Sequence, residues 1–200
     1  MEEVMCVETQ ESHIPLLQKW LRFLLYIQLA GFILAILNLI PGVNRLMTWL
    51  SYLLNAGMLC ALFMLSPACI RYRKSAICRV IHLSCLILVL IIKNMGMLGS
   101  IITLAGSVCG IIASYQEYHG HGEMVKEADQ KLENQWGKLF IWQIVVGVLL
   151  GVGTTAGVAI SMVSGGAISV DTVVAVISLP SLVLQVVYLI YLKRTLNALQ

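Results

Sequence analysis

Leu21–Ile40 reads LRFLLYIQLAGFILAILNLI, and Val145–Ile160 reads VVGVLLGVGTTAGVAI. About 20 apolar residues carry a helix across a roughly 30 Å hydrocarbon core. The apolar residues run on without alternating, which excludes the strands of a transmembrane barrel. A helix is then the form that pairs its own amides in lipid. The rest of the chain has the same character: 59% hydrophobic, 12% charged and mean hydropathy +0.89 over 200 residues. That leaves too little polar surface to coat a soluble globule.

Six such segments are expected, at about 20–40, 46–65, 77–92, 96–115, 140–160 and 172–192. The expected fold is an all-α integral membrane protein, a six-helix transmembrane bundle of three antiparallel hairpins. The domain plan is a cytoplasmic amino-terminal segment (1–19), one polytopic membrane domain (20–192) with a cytoplasmic loop at 116–139, and a tail (193–200). Glu2, Glu3, Glu8 and Glu11 precede the first segment and no small-x-small cleavage pattern follows it, so it reads as an uncleaved anchor.

Charge sets the orientation. Of the 13 lysines and arginines, all but Arg45 and Lys93 fall on one side of the six-span layout, which places both termini in the cytoplasm. We expect the plasma membrane of a prokaryote. The third and fourth segments could instead form one helix, Ile77–Tyr115, but it would be about 58 Å long. It would also hold Lys93 near its middle, at about 2.5–3.5 kcal/mol. A break at Lys93–Gly96 removes both difficulties.

The cytoplasmic loop carries the most pattern. Met124, Ala128, Leu132 and Trp136 recur every four residues, giving a short amphipathic helix with one apolar face. That face suits the membrane surface or a protein partner. Glu117, His119, His121 and Glu123 flank two glycines in what reads as a flexible turn, and imidazole with carboxylate could hold a transition metal. Arg71, Arg73, Lys74 and Arg79 form a basic group suited to anionic lipid headgroups.

Within the spans, Asn38, Asn55, Gln143 and Gln185 are expected to bond across helices, Gln143 with Gln185 in particular. Gly106 and Gly110, Gly147 and Gly151, and Gly153 and Gly157 are spaced for close helix packing between the fourth and fifth spans or in a homo-oligomer. Pro180 should bend the sixth span. None of the ten acidic residues falls within a span, which argues against ion-coupled transport. The six cysteines lack zinc spacing. Neither a protease nor a hydrolase motif is present.

The leading expectation is therefore a non-enzymatic structural, regulatory or interaction component presenting its cytoplasmic loop. The second is a channel or facilitator for a small solute or ion, and a membrane-bound enzyme is third. Lipids, a second copy or another membrane protein are the expected partners. The chain calls for neither nucleic acid nor a cofactor.

Overall fold

The computed structural model describes residues 2–37, 44–91, 96–163 and 170–199. Six helices account for nearly all of them: α1 (Glu2–Leu37), α2 (Asn44–Leu65), α3 (Ile70–Ile91), α4 (Gly96–Val125), α5 (Gln130–Val163) and α6 (Val170–Ala198). No described residue lies in a strand. Four helices contain stretches long and apolar enough to cross a membrane, at Pro15–Leu37, Met97–Val125, Gln130–Ala156 and Ser178–Ala198. Their outward surfaces are apolar, with Met97, Leu104, Ile141 and Val152 all more than half exposed. A soluble protein rarely presents so continuous an apolar surface to water.

Each helix packs on its neighbours in the chain, and α6 returns to α1, closing a ring. Gln18 in the middle of α1 donates to the Leu199 carbonyl after α6, at 2.7 Å. α3 and α4 lie side by side in the most extensive contact of the ring, so Ile77–Tyr115 is not one continuous helix. The break expected at Lys93–Gly96 lies outside the described residues, except that α4 begins at Gly96.

Two tight turns join α2 to α3 and α4 to α5. Ser66–Pro67 ends α2, because proline disfavours helix in the residue before it. Asp129 begins α5, its carboxylate accepting from the Leu132 amide at 2.9 Å, as an N-cap does. The turns share one backbone pattern. Ser66 N bonds Phe63 O as Lys126 N bonds Glu123 O, and Ala68 N bonds Leu65 O as Ala128 N bonds Val125 O.

The helices repeat as well. Met58, Leu62 and Leu65 are buried on α2, Tyr118, Gly122 and Val125 on α4, and Tyr188, Leu192 and Thr195 on α6. Tyr72 and Ala76 on α3 match Leu132 and Trp136 on α5. The α2–turn–α3 and α4–turn–α5 segments thus share a turn pattern and a burial spacing with little residue identity, and α6 buries residues at the same spacing as α2 and α4.

Two expectations about the segment 116–139 are corrected. There is no separate amphipathic helix: α4 runs on to Val125, four residues turn, and α5 starts at Gln130. Leu132 and Trp136 are fully buried in the core and Met124 packs against it, leaving only Ala128 exposed. The four-residue apolar rhythm belongs to helices facing the interior of the ring, not to a face lying on lipid or a partner.

The expected partner of two of the glycines is corrected too. Gly106 and Gly110 pack on α3, not α5. A Cβ on Gly106 would lie 3.0 Å from Cys85 Cβ, and one on Gly110 would lie 3.2 Å from the His82 ring. His82 Nδ1 uses that closeness to donate to the Gly106 carbonyl at 2.6 Å. Nothing lies within 4 Å of a Cβ built at Gly147 or Gly151. Gly153 is half-buried, and the surroundings of Gly157 lie outside the described residues.

This contrast is measurable. Gly106→Ala should lower stability in detergent by about 1–3 kcal/mol, the usual range for overpacking, as read from denaturant unfolding. Gly147→Ala should be neutral or slightly stabilising, since alanine is the better helix former.

A candidate solute cavity above a polar floor

Packing is uneven along the ring. On α3 no described side chain beyond Ala76 is buried, on α2 none before Met58, and on α6 none before Tyr188. The tight end is the one carrying the two turns and the end of α6. Away from it the helices part, and a cavity of about 320 Å³ opens between them. Every helix contributes to its wall: Gln28 from α1, Asn55 from α2, Arg79 from α3, Glu117 from α4, Gln143 from α5 and Gln185 from α6. Met58, Tyr118 and Tyr188, at matching buried positions of α2, α4 and α6, line it together. Two adjoining cavities share Asn55 with it and extend along α2, one towards Arg79 and His82, the other towards Gln28 and Gly31.

The floor is a bonded polar network. Arg79 donates from Nη2 to Glu117 Oε2 at 2.5 Å, with 21% and 1% of the two side chains exposed. Tyr188 donates to Glu117 Oε1 at 2.6 Å. Because that hydroxyl proton is committed, the Tyr188 oxygen accepts from His121 Nε2 at 3.1 Å. His121 Nδ1 then accepts from the Tyr72 hydroxyl at 2.7 Å. Both ring nitrogens of His121 are thus engaged. The network links α3, α4 and α6 through groups that would be costly to bury unpaired.

Beneath this network the ring is sealed. The His121 ring lies 4.6 Å from that of Trp136, and Trp136 packs edge-on to Tyr188 and Tyr118. The Trp136 indole donates to Thr195 at 3.0 Å. Around these rings sit Leu21, Leu24, Leu62, Leu65 and Leu192, all fully buried.

The sequence motif Glu117–Glu123 is helix rather than a flexible turn, with Glu117 and His121 buried and Glu123 exposed. Gly120 lets the Tyr72 ring approach within 3.3 Å of where a Cβ would sit, and Gly122 does the same for Glu133 at 3.4 Å. His119 lies on Tyr115, with centroids 4.2 Å apart. Glu123 pairs with Arg71. The four candidate metal ligands do not converge, and no group of three such side chains occurs among the described residues. An i, i+2 spacing on a helix sends His119 and His121 to different sides.

Other candidates divide. Gln143 and Gln185 share the cavity wall, but no hydrogen bond joins them, and Gln143 Oε1 is buried without a partner. Asn55 lines the cavity while bonding the Ser51 carbonyl of its own helix at 2.8 Å. Asn38 lies outside the described residues. Of the basic group, Arg73 and Lys74 are exposed, whereas Arg71 and Arg79 are committed to carboxylates. Burial, followed by the nearby Glu123 carboxylate, pushes the Cys69 thiol above its ordinary range. Comparison with known protein families, curated proteins and solved structures found no match.

Arg79 and Glu117 were legible only in part. An arginine two residues inside the expected third span was a signal of function, but its partner looked like a loop residue. Removing one member leaves a buried charge unpaired, which costs about 3–5 kcal/mol. Arg79→Gln and Glu117→Gln should each destabilise strongly, and the double variant by less than their sum. A double-mutant cycle on unfolding free energies reads that coupling.

Proposed function

We propose that this protein crosses its membrane six times as three antiparallel hairpins and lets a small solute through the centre of the ring. The carrying observation is the polar cavity lined by all six helices. A volume of about 320 Å³ lies at the small end of the range for small-molecule sites. The sealed floor beneath it makes this a closed state, so passage requires the aromatic layer around Trp136 and His121 to part. That describes a gated facilitator rather than an open pore.

The orientation in this reading has both turns and both termini in the cytoplasm. It is supported by exposed Lys19, Arg22, Arg73, Lys74, Lys126, Lys193 and Arg194 at the turn end, following the positive-inside rule. Arg73 and Lys74 remain available to anionic headgroups. The alternative of a scaffold presenting residues 116–139 loses its main support, because Leu132 and Trp136 face the core.

Purified protein in proteoliposomes should raise the flux of small polar solutes above that of protein-free vesicles. Gln143→Leu or Gln185→Leu should change that flux, and flux indistinguishable from empty vesicles would overturn the proposal. For orientation, a cysteine at Lys126 should react with an impermeant maleimide only after the cytoplasmic face is opened. Labelling in intact cells would reverse the layout.

A further inference from the structure

The chemistry of the cavity wall narrows the solute, an argument that rests on the solute-path reading above. We infer that the cavity takes an uncharged solute bearing several hydroxyl or amide groups, of polyol or monosaccharide size.

Charge balance is the first reason. The charged side chains in the wall are Arg79 and Glu117, and each neutralises the other at 2.5 Å. The remaining polar wall consists of amides and hydroxyls: Gln28, Asn55, Gln143, Gln185 and the serines and tyrosines of α4 and α6. An anion could claim Arg79 only by taking it from Glu117, leaving that carboxylate buried and unpaired. A cation faces the mirror-image penalty. Either outcome is costly where water is scarce. An uncharged solute leaves the pair intact.

The spare hydrogen-bonding capacity is the second. Arg79 Nε and Gln143 Oε1 are buried without protein partners, and both residues belong to the wall. One is a donor and the other an acceptor. A hydroxyl or primary amide offers both complements, whereas a carboxylate only accepts and an ammonium only donates. Wall amides, each with two donors and an acceptor, extend the match to a solute with several such groups.

Size and shape agree. The volume of about 320 Å³ corresponds to on the order of ten waters, at ~30 Å³ each. Met58, Val146 and Leu184, with the Tyr118 and Tyr188 rings, supply apolar wall for the C–H faces of such a molecule.

The test is uptake into proteoliposomes of radiolabelled glycerol, urea and D-mannitol, compared with labelled lactate, choline and glycine at neutral pH. Uncharged solutes should enter at least about tenfold faster than the charged or zwitterionic ones, relative to protein-free vesicles. Gln143→Leu should reduce their uptake about tenfold, the size of effect expected for one lost hydrogen bond. Glu117→Gln, which leaves Arg79 uncompensated, should begin to admit lactate. If that variant fails to fold, Gln143→Leu still carries the test. Lactate, choline or glycine entering as fast as the uncharged solutes, or Gln143→Leu leaving uptake unchanged, would overturn the inference while the solute path stands. Entry of none of the six would overturn both.

Discussion

The ion pair between Arg79 and Glu117 is the constraint around which the rest is arranged. Two charges at the centre of an apolar ring must be held together and their remaining lone pairs met, or they destabilise the fold that contains them. Tyr188 meets the second carboxylate oxygen, His121 bonds Tyr188, and Tyr72 bonds His121. Three helices are thereby placed by one network. Isolated pairs of this kind seldom stabilise a protein relative to apolar packing.

The helix contacts follow from the same place. α4 has to bring Glu117 and His121 against α3, and glycines at 106, 110 and 120 let the two backbones approach. Where the chain needs no such approach, as at Gly147 and Gly151, the glycines stand open. Below the network, Trp136 and its leucine shell close the ring. Above it, side chains become sparse and the cavity opens. The gradient from tight to loose packing runs along the described parts of α2, α3 and α6.

The basic end fits this arrangement. Arg71 and Arg79 face carboxylates of α4, and the neighbouring Arg73 and Lys74 face outward. One short run of sequence thus serves both the ring interior and the surface, because residues two apart on a helix point in different directions.

Composition and apolar run length determined that the chain is helical and apolar enough for lipid, since those properties are sums over residues and need no knowledge of partners. That α3 and α4 are separate helices was also legible, from the length and Lys93 cost of the alternative. The role of residues 116–139 was not. Periodicity shows that a face is apolar without showing what covers it, so Leu132 and Trp136 read equally well as a surface and as a core. The polarity of Glu117, His121 and Glu123 suggested a solvated loop, because the arginines and tyrosines that satisfy them lie 38 to 71 residues away in the chain. Only the tertiary structure brings those groups within hydrogen-bonding distance, and only it reveals the cavity that polar residues of six helices line.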